Sequence, residues 1–322
     1  MSASIRVLLT DRAWPDDRLE RDILEQAGFE VVSADDHSEA ALIELARDVH
    51  AIGVNWAPVT TAVIAAAPQC RVITRFGIGL DNIDVAEATR RKIPVTNVPD
   101  YCVSEVSDHT LALILAAVRN VGFFHTRTKQ GVYNLAEGPP MRRLSELTLG
   151  IVGCGKIGKE VARKASAFGF RVQACSRSGK ISDAGIAAVD LETLLQTSDV
   201  ITLHLPLTSD TKHMINRETL ARMKPGAILV NTSRGGLIDH EALAETLAAN
   251  RLGGVTLDVF EPEPPHLDSP LFEHPRVILT PHAAFVSHES LQELRTRAAR
   301  QIVTALQGGR PENIVNPEVL TP

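Results

Sequence analysis

Four stretches of the chain carry residues whose types and spacing suit chemistry. The first is GCGKIG at 153–158, which follows an apolar run and leads into KEVARKASAFG. Gly153, Gly155 and Gly158 stand in G-x-G-x-x-G spacing. In a strand–turn–helix setting the first glycine permits the tight turn. The second lets a pyrophosphate approach the backbone, and the third lets helix and strand pack closely. The helix start adds unpaired N–H groups and partial positive charge. The other three stretches are VNTSRGGLID at 230–239 with Arg234, LDVFEPEPP at 257–265 with Asp258, Glu261 and Glu263, and LTPHAAF at 279–285 with His282. Each follows an apolar run of strand length. Open α/β sheets bind ligands at the carboxyl edge, so Arg, Glu and His converge on one crevice beside a nucleotide. That set suits hydride addition to an oxo acid. A guanidinium holds a carboxylate with two bonds and still meets the developing oxyanion. An imidazole, with a reference pKa of about 6.5, carries the proton near neutrality, and a neighbouring carboxylate favours the charged ring.

A fifth stretch, VQACSRSGK at 172–180, lies where a dinucleotide site usually places a ribose-binding carboxylate, about twenty residues beyond the glycines. Ser176 and Arg177 stand there instead, with Lys180 close behind. A carboxylate would repel a 2′-phosphate. Serine removes that repulsion and arginine offers a cation, so the stretch points to NADP, with NAD as the alternative.

These residues need a scaffold, and the chain supplies one. Short apolar strands alternate with amphipathic helices through the first hundred residues: RVLLT, FEVVS, AIGV, RVIT and IPVTN, with helical patterns between them. A second series runs from the glycine-loop strand LTLGIVG to RVILT. Such alternation predicts parallel sheets covered on both faces. Between the series lie a long helix, SEVSDHTLALILAAVRN, with Ser104 as its expected N-cap, and residues 121–147, an expected arm or irregular loop. A last helix over 289–306 could pack on either domain. The 322 residues suit two domains. With 33 basic against 39 acidic residues and a net charge of −6, the composition argues against binding nucleic acid or a membrane surface. The apolar run LALILAAV at 111–118 is too short to cross a bilayer, and the amino-terminal sequence does not read as a secretory signal. Four cysteines without C-x-x-C spacing suit a reducing compartment, and a cytoplasmic protein is expected. His274, His282 and His288 lack metal-ligand spacing, so no metal is expected.

Nearly the whole chain resembles the D-isomer-specific 2-hydroxyacid dehydrogenase family. The match runs through RFGIGLDNIDVAEATRRKIPVTNVP at 75–99, the glycine loop, HLPLTSDTKHMIN at 204–216, NTSRGG, DVFEPEP and TPHAA. The resemblance implies two doubly wound parallel-sheet α/β domains: a flavodoxin-like substrate domain of residues 1–101 and 285–322, and an inserted Rossmann cofactor domain of 102–284. It assigns catalysis to Arg234, Glu263 and His282, with His282 as acid/base hydrogen-bonded to Glu263. Lys156 and Ile157 would face the pyrophosphate, and Thr232, Ser233 and Asp258 the nicotinamide half. Leu205, Pro206 and Thr211 would border the adenosine. The amides near Ile78 and Gly79 would receive the substrate carboxylate. It further implies a D product, domain closure around a cleft and a homodimer built through the helix near 104–119.

Residues 51–70 contain no Lys or Arg, and VNWAPVT offers Asn55 and Trp56. That favours a small unphosphorylated 2-oxo acid such as glyoxylate or hydroxypyruvate, with Asn55 in the substrate site and Trp56 either core packing or a lid. Arg142 and Arg143 in the arm are candidate cations for a partner's site. Two other readings compete: a D-3-phosphoglycerate dehydrogenase with an unusual cation, and a non-catalytic dinucleotide sensor like the C-terminal-binding corepressor branch, whose RFGIG…DNID and PHAAF wording is similar.

Overall fold

In a computed structural model, which describes residues 4–177, 179, 181 and 185–320, the two series of strands form two sheets in two separate units. The first unit is Met1–Tyr101 with Ser287–Pro322, and the second is Cys102–Val286.

The first unit contains β1 (Arg6–Leu9), α1 (Arg18–Gln26), β2 (Glu30–Ser33), α2 (Glu39–Ala46), β3 (Ala51–Val54), α3 (Thr61–Ala66), β4 (Ile73–Arg75), α4 (Val85–Arg90) and β5 (Val95–Thr96). Its sheet is wholly parallel in the order β2-β1-β3-β4-β5, the flavodoxin-like arrangement. All four residues of β3 are buried, as a strand covered on both faces requires. Side-chain caps start the helices: Ser38, Thr60 and Asp84 each accept a backbone N–H of the following turn.

The second unit opens with α5 (Val103–Val118) and α6 (Val121–Lys129). Then follow β6 (Thr148–Val152), α7 (Lys156–Ala167), β7 (Arg171–Cys175), β8 (Ala187–Ala188), α8 (Leu191–Thr197), β9 (Val200–Leu203), α9 (Arg217–Arg222), β10 (Ile228–Asn231), α10 (His240–Ala248), β11 (Gly254–Leu257), α11 (Pro270–Glu273) and β12 (Val277–Leu279). The seven strands are parallel in the order β12-β11-β10-β9-β6-β7-β8. Read from β8, this is the Rossmann order with one added strand. The apolar floor of the glycine loop, Leu149 and Ile151, is fully buried against α5 and α7 residues such as Ile114 and Val161.

The last helix, α12 (His288–Leu306), belongs to the first unit, where it packs on α1, β3 and β4. Ile302 lies against Gly53, where a Cβ would come within 3.4 Å of its side chain. Arg295 bonds both oxygens of the buried Glu20 at 2.7 Å and sits over the Trp14 ring. This settles the helix that the pattern left open.

Two local expectations change. Ser104 is inside α5, not its N-cap. The cap position is Cys102, with no side-chain cap bond, and Ser104 Oγ turns to Asp108 instead. Residues 121–147 are not wholly irregular: α6 occupies Val121–Lys129, entered through Asn120 at φ 52 and followed by two short 3₁₀ turns. No α6 residue is buried, so no apolar stripe announced it. The two-residue β8 and the four-residue α11 are too short to leave a period in the sequence. Among the described residues, no helix is long and apolar enough to cross a membrane.

Candidate active site

The glycine loop leaves β6 beside the end of β7. Val152 pairs with Cys175, and the Gly153 amide donates to the Cys175 carbonyl at 3.0 Å. Gly153 has φ 97, and a Cβ there would lie 2.3 Å from the His204 carbonyl oxygen and 2.7 Å from the Leu205 side chain. A Cβ on Gly158 would lie 2.2 Å from the Gly153 carbonyl oxygen. Gly155, by contrast, has nothing within 4 Å of that position. Two glycines are thus demanded by packing, and the middle one opens a cradle at the start of α7, where Lys156 and Ile157 begin the helix. The residues present fit a dinucleotide pyrophosphate.

Ser176 directly follows β7 and is half-buried, while Arg177 is exposed in the turn closed by the Gly179 amide on the Ser176 carbonyl at 3.0 Å. Lys180, the other cation of this stretch, lies outside the described residues. Leu205 packs over Gly153, and Thr211 Oγ1 donates to the Pro206 carbonyl at 2.8 Å, closing the loop after β9.

Strands β10, β11 and β12 end level. Asn231 pairs with Leu257, and Leu257 with Leu279. Arg234, Asp258 and His282 follow those residues at the carboxyl edge. The Arg234 loop is tied down by Asn231, whose side chain donates to the Arg234 carbonyl at 2.8 Å, and by Ser233, whose hydroxyl donates to the Leu203 carbonyl at 2.7 Å. Arg234 Nη1 donates to the Ser233 carbonyl at 2.7 Å. Thr232 is held by Thr110 of α5, 2.8 Å between hydroxyls. Gly235 lets this loop meet the next one, since a Cβ there would lie 2.1 Å from the Phe260 carbonyl oxygen. The Phe260 amide in turn donates to Glu263 Oε1 at 2.7 Å.

His282 Nδ1 donates to Glu263 Oε2 at 2.7 Å. The two glutamates of EPEPP are thereby told apart. Glu261 takes His213 at 3.0 Å and Lys212 at 3.2 Å instead. Partial burial would raise the Glu261 pKa, but bonds from His213 and Lys212 outweigh it and hold the carboxyl below its ordinary value. Asp258 is fully buried. Burial alone would raise its pKa, yet hydrogen bonds from His109, Thr280 and the amides of Ala283 and Ala284 hold the carboxyl below the usual range. His204, at the other wall of the glycine loop, is pushed down to about 3 by burial.

Asn55, Ile78 and Gly79 belong to the first unit. Asn55 is buried, and its side-chain amide donates to the Phe76 carbonyl at 2.8 Å. Asp11 fixes this turn by accepting the amides of Asn55 and Trp56. The Ile78 carbonyl accepts from Asn97 at 2.7 Å, and among the described residues the amides of Ile78 and Gly79 have no hydrogen-bond partner. Trp56 is 46% exposed, which removes the core-packing alternative. Arg142 is engaged within its own unit, at 2.8 Å from Asp199 and 2.7 Å from the Glu146 carbonyl. Among the described residues no group of three or more His, Cys, Asp or Glu side chains could share a metal ion. The sequence reading missed His109 and Thr280, which bond to each other at 3.0 Å across 171 residues. No local pattern marks such a pair.

The family model for the D-isomer specific 2-hydroxyacid dehydrogenase NAD binding domain matches residues 111–284. A glyoxylate reductase of Korarchaeum cryptofilum is 40% identical over 290 residues, 88% of this chain and 87% of that protein. A D-3-phosphoglycerate dehydrogenase of Methanocaldococcus jannaschii is 38% identical over 317 residues, 97% of this chain but 59% of the longer relative. The crystal structure of an NADPH-dependent glyoxylate/hydroxypyruvate reductase from Sinorhizobium meliloti, in complex with NADP and malonate, superposes with a TM-score of 0.87 at 27% identity over 97% of each chain.

Proposed function

Because the chain belongs to the D-isomer specific 2-hydroxyacid dehydrogenase family, we propose that it reduces a small 2-oxo acid, of the glyoxylate or hydroxypyruvate type, to the D-2-hydroxy acid with NADPH. The observation that carries this reading is the His282–Glu263 pair at 2.7 Å, on strand ends level with Arg234 and in the same sheet as the glycine loop. The dinucleotide supplies the hydride when bound. Gly153, Gly155, Lys156, Ile157 and Gly158 hold its pyrophosphate. Leu205, Pro206 and Thr211 border the adenosine, and Thr232, Ser233 and Asp258 the nicotinamide half. Ser176 and Arg177 favour the 2′-phosphate.

Arg234 grips the substrate carboxylate and stabilises charge developing on the 2-oxo oxygen. His282 Nδ1 is taken by Glu263, so Nε2 carries the proton that the oxygen receives. Glu263 keeps the ring in that orientation. Asn55, Ile78 and Gly79 are the substrate-binding residues proposed in the first unit. The cation-free stretch 51–70 supports an unphosphorylated substrate. The relative named a D-3-phosphoglycerate dehydrogenase supports the competing reading of a phosphorylated one. A dimer built through α5 and the segment after it is supported by apolar side chains left in solvent there: Val121, Leu135, Met141 and Tyr133, the last 96% exposed. Sedimentation of the purified chain at a monomer mass would remove that part.

The deciding experiment is a turnover screen with NADPH and NADH on glyoxylate, hydroxypyruvate, pyruvate, larger 2-oxo acids and 3-phosphohydroxypyruvate, using wild type and His282→Ala. The variant is expected to lose about a thousandfold in kcat, within the usual range for a general acid, with dinucleotide Kd unchanged. Normal turnover in it refutes the acid role. Activity on 3-phosphohydroxypyruvate alone favours the competing substrate.

A further inference from the structure

The stretch that carries His282 is gripped at one buried carboxylate. Asp258 accepts the amides of Ala283 and Ala284, each at 2.9 Å, and the Thr280 hydroxyl. Its main-chain carbonyl accepts the His282 amide at 2.7 Å. These bonds hold His282 at φ 53, in the left-handed region that a side-chain-bearing residue seldom occupies. Beside Asp258 stands a side chain with no part in the reaction scheme above. His109 of α5 places Nε2 at 3.0 Å from Thr280 Oγ1 and 3.5 Å from Asp258 Oδ1.

The hydrogens in this cluster can be counted. An ionised carboxylate only accepts, and a hydroxyl has one hydrogen to give. Thr280 gives its hydrogen to Asp258. Toward His109 the Thr280 oxygen can therefore only accept, so Nε2 must carry hydrogen whether the ring is neutral or charged. The next residue of the same helix, Thr110, bonds Thr232 in the loop that carries Arg234. Two consecutive residues of α5 thus brace two strand-end loops. The helix itself packs on α7, β10 and β11.

We propose that His109 is a positioning residue. It donates from Nε2 into the Thr280–Asp258 pair and through that pair fixes the loop that aims His282. Its catalytic consequence rests on the function proposed above, but its geometry does not.

The test uses the full-length protein. His109→Phe keeps a ring of similar size and removes the donor. His109→Gln keeps an N–H at comparable reach. With the best 2-oxo acid, His109→Phe is expected to lower kcat between about tenfold and a hundredfold, the scale of a small misplacement of a reacting group. Dinucleotide Kd stays at the wild-type value and His109→Gln recovers most of the loss. Wild-type kcat in His109→Phe, or no recovery in His109→Gln, overturns the proposal. Independently of turnover, long-range ¹H–¹⁵N spectra of the wild type should show His109 protonated at Nε2, and the Ala283 and Ala284 amides should exchange faster in His109→Phe than in His109→Gln. A His109 ring protonated at Nδ1 alone overturns it as well. If no 2-oxo acid is turned over, the functional reading falls and the spectra alone decide the role of His109.

Discussion

Ser176 stands directly beyond β7, level with the glycine loop, where a carboxylate would hold the ribose hydroxyls and repel a 2′-phosphate. Replacing it with aspartate should restore that repulsion. Ser176→Asp is expected to lower the NADPH:NADH ratio of kcat/KM by about tenfold or more, the effect of roughly 1.4 kcal/mol. An unchanged ratio in paired initial-rate measurements removes the preference assigned to Ser176 and Arg177. Single residues of this kind were legible in the sequence when a motif framed them. The glycines, Arg234 and His282 each sit one turn past an apolar run, and their types match the chemistry. Glu263 was less secure, because EPEPP offers two glutamates. Residue type alone does not separate them; the resemblance picks Glu263, and in the folded loop Lys212 and His213 draw Glu261 away while Glu263 closes back on the Phe260 amide and His282. His109 was illegible, since its partners Thr280 and Asp258 come from distant strand ends.

At the scale of elements, the glycine loop separates two demands that the spacing alone leaves merged. Gly158→Ala puts a methyl against the Gly153 carbonyl, a backbone atom that cannot swing aside. It should cost about 1–3 kcal/mol of stability, as overpacking does, read as a lowered urea midpoint. Gly155→Ala meets no neighbour and keeps an ordinary φ of −81. Its urea midpoint should stay at the wild-type value while dinucleotide Kd rises by about tenfold (about 1.4 kcal/mol). Equal effects of the two variants on both readouts would contradict the cradle. Strands and long helices announced themselves through period and length. The elements that did not were β8, α11 and α6, which are short or carry no buried face. The start of α5 misled because Ser104 is a favourable cap residue two positions too late, while the chain turns into the helix at Cys102.

For the whole molecule, alternation foretold two parallel sheets, and both strand orders follow known doubly wound arrangements. The destination of α12 was not in the pattern, because an amphipathic helix states which face it buries but not against what. The answer is in specific partners: Leu294, Ala298 and Ile302 are fully buried. Arg295 reaches Glu20, and Gln301 reaches the Asn97 carbonyl at 3.0 Å.

That return carries a consequence in time. The first unit is begun by the opening hundred residues and closed by a helix made roughly two hundred residues later. At about 5–20 residues per second of synthesis, the delay is roughly 10–40 s. During it, the faces of β3, β4 and α1 that α12 covers are bare, while Cys102–Val286 is made and completed before α12. The inserted unit should therefore mature first, and the amino-terminal one should wait until α12 has been made. Chains stalled after residue 286, with a tail long enough to clear the exit tunnel, should be cut by protease within the first hundred residues and spared beyond them. Equal resistance of both parts would show that the opening segment closes without its last helix.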